Sequence, residues 1–145
     1  MSIDFDKRES YGDSDVWITV WNKNVSAQTK KLSVIVPPNH YIFTVLDSDG
    51  KAVPKLRYQI YRETALWCAS GYGYDIKPGE RFGIRFNLSK RFDLSMMGTY
   101  TVQCYRNIGR PAKNGKYEFE KLLSPKESFT IKSFGHDGRI VQPQE

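Results

Sequence analysis

KPGERFGIRFNLSKRFDLSMMGTYTVQCYR, residues 77–106, carries the strongest fold signal in the chain. From Arg81 to Leu88 the side chains alternate. Phe82, Ile84, Phe86 and Leu88 share one face, and Arg81, Gly83, Arg85 and Asn87 share the other. That period of two predicts an antiparallel strand with one apolar and one wet face. Pro78-Gly79 is a turn before it. Ser89 to Met97 is a polar connection that crosses between sheets, and Thr99 to Arg106 is a second strand with Tyr100, Val102 and Cys104 on one face. Strand, polar crossover and strand, with a tyrosine just after the Gly98 corner, predicts packed β layers.

The flanks agree. Val16 to Trp21 is apolar at five of six positions, which predicts a strand covered on both faces. Within it Trp17 and Trp21 lie opposite Val16, Ile18 and Val20. If the Val/Ile face is core, both indoles lie on the other face, either as a ligand or partner surface or covered by a long side chain or a neighbouring loop. Asn22 to Lys31 reads as a polar loop. Leu32 to Val36 is a strand stopped by Pro37-Pro38, because proline has no N–H for the ladder. Tyr41 to Leu46 follows, then a hairpin turn at Asp47 to Lys51. Leu56 to Tyr61 alternates, Ala65 to Cys68 extends it or starts another strand, and Gly71 to Asp75 reads as a flexible aromatic loop. Asn114-Gly115 marks a hairpin and Phe129 to Phe134 the last strand. Seven to nine strands with frequent turns, in one domain over 1–145 with loose termini at 1–12 and 135–145, predict an all-β antiparallel sandwich, with a closed barrel as the alternative.

At 145 residues the chain can bury its own core. No run approaches ~18 apolar residues, so no membrane span is expected. The start, MSIDFDKRES, has no apolar signal region, so the chain as written reads as cytoplasmic, or extracytoplasmic if a signal was removed. Lys and Arg number 22 against 16 Asp and Glu, a net charge of +6, which attracts acidic partners mildly and falls short of a nucleic-acid face. Six of the basic residues (Arg106, Arg110, Lys113, Lys116, Lys121, Lys126) fall between Tyr105 and Lys126, as a solvated hairpin or a docking surface. Cys68 and Cys104 lack metal spacing; they either pair across neighbouring strands or stay buried as small hydrophobes.

Chemical motifs are missing. His40 and His136 have no partner at ligand spacing, no GxSxG elbow surrounds a serine, and no phosphate-binding glycine pattern occurs. Asp47-Ser48-Asp49-Gly50 opens like a calcium loop but has Tyr58 where the glutamate belongs. Asn24-Val25-Ser26 and Asn87-Leu88-Ser89 are formal glycosylation sequons. No catalytic residue, metal or cofactor is assigned.

The order Pro78-Gly79-Glu80, Asn87-Leu88-Ser89, Phe92-Asp93-Leu94-Ser95 and Gly98-Thr99-Tyr100-Thr101-Val102 resembles immunoglobulin-like modules of small bacterial proteins. It is also similar to the β-rich N-terminal region of deuterolysin-type metallopeptidases. Their HExxH motif is absent, so proteolysis does not carry over. The resemblance implies that Tyr100 is a corner tyrosine bonding the backbone near Leu94–Met96. It also places Val102 where antibody domains carry a cysteine, so no inter-sheet disulfide is implied.

Function is therefore expected to be binding without catalysis, as a protein-recognition or inhibitor/immunity-type module. The alternatives are a carbohydrate-binding module and a structural protein that self-associates through an edge strand. The expected contact residues are Trp67, Tyr72, Tyr74, Arg106, Arg110, Lys113 and Lys116, facing an acidic protein, with a glycan as the other partner and nucleic acid disfavoured.

Overall fold

The computed structural model describes residues 1–12, 14–36, 41–57, 70–111 and 113–133, with backbone alone at 32–36, 70–72, 108–111 and 117–120. Its strands are β1 Ser2–Phe5, β2 Glu9–Tyr11, β3 Trp17–Lys23, β4 Lys30–Val36, β5 Tyr41–Leu46, β6 Ser70–Ile76, β7 Arg81–Asn87, β8 Gly98–Pro111, β9 Tyr117–Leu123 and β10 Glu127–Lys132. A short 3-10 turn, Leu88–Lys90, follows β7. The protein is all-β. One sheet runs β1-β3-β7; a second runs β2-β10-β8-β5 with β9 also on β8; β4 and β6 pair separately. The second sheet curls into a half-barrel.

The described residues hold ten strands against the seven to nine expected, since β1 and β2 lie in the stretch expected to be loose and β6 in the stretch expected to be a loop. β3 pairs β7 from Trp17↔Asn87 to Lys23↔Arg81, and the same two chain directions resume as β4 and β6 from Lys30↔Ile76 to Val36↔Ser70. Likewise β8 pairs β9 from Pro111↔Tyr117 to Tyr105↔Leu123 and then β10 from Val102↔Glu127 to Gly98↔Ile131. Two long ribbons thus run through the described residues, one based in each of the two larger sheets.

Tyr41, Phe43, Val45, Tyr100, Val102, Cys104, Phe129 and Ile131 of the curled sheet are buried together with Ile3, Ile18, Val20 and Phe86 of the other. Ring contacts cross between the sheets: Phe43 meets Phe86 edge-on at 4.9 Å, and Phe5 lies 5.5 Å from Phe129. Aromatic pairs of this kind add about 1 kcal/mol each beyond their burial. Leu88–Met97 carries the chain from one sheet to the other, and the Tyr100 hydroxyl donates to the Met96 carbonyl at 2.5 Å. Gly98, at φ 142°, makes the corner beside it.

Several sequence expectations are corrected. Residues 1–12, expected loose, contain β1 and β2, because Ile3 and Ser10 bury between neighbouring strands. β2 runs parallel to β10, so the second sheet is not purely antiparallel. The stretch Gly71 to Asp75 is not a flexible loop but most of β6, since its backbone finds a partner in β4. The Asp47–Lys51 turn closes with the Asp47 amide donating to the Lys51 carbonyl at 2.8 Å, and among the described residues beyond it, to Arg57, the chain makes single bridges, Leu46↔Ala52 and Lys55↔Phe92. The readings at Pro37–His40, Tyr58–Tyr61, Ala65–Cys68 and 135–145 lie outside the described residues. No helix among the described residues is long and apolar enough to cross a membrane.

Candidate functional site

Where the two ribbons leave their shared core, a cavity of about 550 Å³ opens between them. Its walls come from β3, β4, β6, β8, β9 and the 24–29 segment. Three cavities elsewhere measure only 230–250 Å³. The larger volume lies in the ~300–1,000 Å³ range of ligand sites.

The backbone break at Asn24 creates this cavity. Asn24 is buried, and its amide nitrogen donates to the carbonyls of Gln28 and Ile76, each at 2.7 Å. Its Oδ1 accepts from the Ser26 amide at 3.0 Å and the Ser26 hydroxyl at 2.7 Å. The backbone partners cross the break as well: Asn24 N–H donates to Glu80 and Gly79 N–H to Asn24. One side chain therefore holds a turn on one strand and the end of β6 on the other. The turn projects Val25, 89% exposed, at the rim. Asn24 and Asn87, the two sequon asparagines, are both buried, which removes them from the surface a glycan would need.

Cationic groups surround the opening. Lys23, Lys30 and Lys31 line it and are exposed. Among the described residues none of the three forms an ion pair. Arg106 lies at its base, 8% exposed. Its guanidinium donates to the Tyr41 hydroxyl at 3.2 Å, and Asn22 donates to the same oxygen at 2.9 Å. Burial raises the Tyr41 pKa above its ordinary value, against the opposing pull of Arg106. Tyr41 is thus a neutral phenol that orients a buried cation. Ile76 and Leu122 supply apolar lining. This arrangement suits capture of an anion with an apolar body.

The residues expected from sequence do not gather here as one patch. Arg106 reaches the cavity, but as a buried group rather than as part of an exposed basic segment. Lys113 and Lys116 are exposed at the far turn of the β8–β9 arm, with Asn114 Oδ1 accepting from the Lys116 amide at 3.2 Å. Pro111 lies five strand steps beyond Arg106, about 17 Å along β8. The backbone of Arg110 pairs with Glu118 and that of Tyr72 with Val34. Tyr74 is on β6, its ring tilted against Phe82 at 4.6 Å and still 41% exposed. Trp67 and Cys68 lie outside the described residues. Cys104 is a free thiol, so the pairing alternative does not hold for it; burial pushes its pKa up to about 12.

Reading Asn22 to Lys31 as one polar loop missed Lys23, Lys30 and Lys31. The signal was present: lysines close both ends of an Asn-x-Ser turn, so their charges converge when the turn folds.

The outer face of the first sheet behaves differently. Val16, Ile18 and Val20 are core, and the indoles of Trp17 and Trp21 lie half-buried on the opposite side. Arg85 sits over Trp17 at 4.6 Å and Arg81 over Trp21 at 4.0 Å. Trp21 also donates to Asp4 at 3.0 Å and lies across Gly83, where an added Cβ would meet the ring at 2.6 Å. Long side chains cover these indoles, one of the two alternatives their spacing posed. No protein-family model matches the chain, and no curated protein matches it.

Proposed function

We propose that this chain is an immunoglobulin-like β-sandwich that works by binding, and that the basic cleft between its ribbons recognises the acidic surface of a partner protein. The observation that carries the reading is the convergence of Lys23, Lys30 and Lys31, unpaired among the described residues, on an apolar-lined cavity of about 550 Å³. Three features support the sandwich. The first strand is divided, as β1 on β3 and then β2 parallel to β10. The chain changes sheets between β7 and β8. Tyr100 ties the corner to Met96.

A protein partner fits better than a glycan. Stacking platforms for sugars need open ring faces, and the guanidinium groups of Arg81 and Arg85 sit over Trp21 and Trp17. Long-range attraction by exposed lysines instead steers an acidic protein and weakens as salt rises.

The test compares two variants of equal charge change against acidic proteins by pull-down and then by titration. One carries Lys23→Glu, Lys30→Glu and Lys31→Glu. The other carries Lys51→Glu, Lys90→Glu and Lys126→Glu, also exposed lysines but away from the cleft. The expected result is a loss of roughly 100-fold or more in the first and a few-fold at most in the second. Equal losses in both would assign binding to net charge and remove the cleft.

A further inference from the structure

We infer that the cleft takes an extended acidic peptide segment with an apolar anchor, one or two large apolar side chains flanked by aspartate or glutamate. The inference rests on the binding reading above and specifies what the site recognises.

The chemistry of the lining separates this ligand from a purely acidic one. If charge alone were recognised, lysines on a flat polar surface would suffice, and such rim contacts contribute little affinity. Here the lysines ring a concavity with apolar parts at two levels. Val25 stands at the rim, 89% exposed, while Ile76, 7% exposed, and Leu122 lie deeper. An exposed valine at the mouth of an apolar-lined cavity gives an incoming side chain apolar contact on both sides. Burial of that side chain supplies affinity, and the flanking carboxylates supply register.

Acidic groups of the chain itself leave the lysines available. Glu80 accepts from the Lys77 amide at 2.9 Å, which turns it to its own turn. Asp75 is opposite Lys31 across β4–β6, so Lys31 is the most compensated of the three. Lys23 faces Arg81 across β3–β7, a like-charged neighbour that leaves its potential undiminished. Arg106, fixed from within by Tyr41, adds a positive charge behind the apolar lining. A carboxylate directly after the anchor would lie between it and the lysine rim. The cavity volume exceeds what one side chain fills, which favours a pair of apolar residues.

Fluorescence polarisation with labelled, end-blocked peptides tests this on the whole chain. One peptide places Leu-Phe between two acidic flanks; a second replaces Leu-Phe by Gly-Ser; a third keeps Leu-Phe between lysines. The first is expected to bind at least about tenfold more tightly than either other. Val25→Asp, a change at a fully exposed side chain, should abolish that preference without altering the unfolding midpoint. Leu122→Ser, at a half-buried position, is the second probe, read beside its own unfolding curve. Equal binding of the first two peptides overturns the apolar anchor and leaves the acidic-partner reading standing. A first peptide that binds no better than the lysine-flanked one overturns the acidic flanks. If no peptide binds while the acidic protein does, the inference fails alone; if neither binds, both readings fail.

Discussion

The two ribbons are interrupted at comparable places and with different outcomes. In the first, residues 24–29 face residues 77–80, six against four, and the extra chain turns away from the sheet. In the second, residues 124–126 face residues 103–104, three against two, which is a single-residue bulge. Each break is held by a small buried polar side chain. Asn24 reaches across to Ile76 and back to Gln28. Ser124 accepts from the Cys104 amide at 2.9 Å and donates to the Pro125 carbonyl at 3.0 Å, while its own amide donates to Cys104 at 2.8 Å. A one-residue excess can be absorbed within a ladder, and proline fits there because a bulge spares its missing N–H. A two-residue excess cannot, so the chain must leave. The wider break lies at the cleft; the narrower one is absorbed within the ladder of the opposite wall.

The largest contrast between them is chemical. Only the second break carries a buried ionisable thiol. Burial raises Cys104 from 9.0 to about 12, and a group with a raised folded pKa contributes stability that is present below its unfolded value and lost as pH climbs through the folded one. Unfolding free energy should therefore fall between about pH 9 and pH 12, by at most about 4 kcal/mol from this group. Tyr41 and Tyr100, also raised by burial, add to the upper part of that slope. Urea midpoints across this range check it. In Cys104→Ala the decline should begin about one pH unit later, where the tyrosines start; an unchanged onset would show that the second break does not titrate.

Next in size is the first break itself. Asn24→Ala removes four hydrogen bonds and leaves the Ile76 and Gln28 carbonyls without this donor. The expected cost is about 3 kcal/mol. Asn24→Asp keeps the acceptor for Ser26 but places a carboxylate against two carbonyls, and should be no milder. If Asn24→Ala is neutral, the turn is held by its backbone bonds to Glu80 and Gly79 alone, and the parallel between Asn24 and Ser124 breaks down.

The difference between the ribbons also sets what was legible in sequence. Arg81–Asn87, Tyr41–Leu46 and the Ser89–Met97 crossover were readable because alternation in the sequence ends at turn residues; burial follows that period in β5, whereas in β7 Asn87, expected on the wet face, is buried beside Phe86. The corner bond of Tyr100 to Met96 was expected only from the resemblance to immunoglobulin-like modules, not from the residues alone. The β6 strand was not, because Gly71-Tyr72-Gly73-Tyr74 has turn composition and becomes a strand only through pairing with β4. The cleft was not either. Lys23, Lys30 and Lys31 bracket one turn, but Ile76, Arg106 and Leu122 reach it only through pairing between distant segments, which no single stretch shows. Arg106 in particular looked like surface charge; only the facing Tyr41 and Asn22 show why it is buried.

The smallest expected effect tests the narrower break. Ser124→Ala deletes the hydroxyl that accepts from the buried Cys104 amide, leaving that N–H without this partner. The backbone bond from the Ser124 amide to the Cys104 carbonyl survives, so the bulge keeps one of its two ties to Cys104. The cost should be about 1–2 kcal/mol, less than for Asn24→Ala. Ser124→Thr retains the hydroxyl and should recover most of it. Amide exchange locates the effect: Cys104 should exchange faster in Ser124→Ala, while Ile18 and Val20, across the core in the other sheet, should change only with global stability. Equal acceleration everywhere would mean that the bulge has no local stability of its own. The two breaks would then differ in width but not in how their polar side chains hold them.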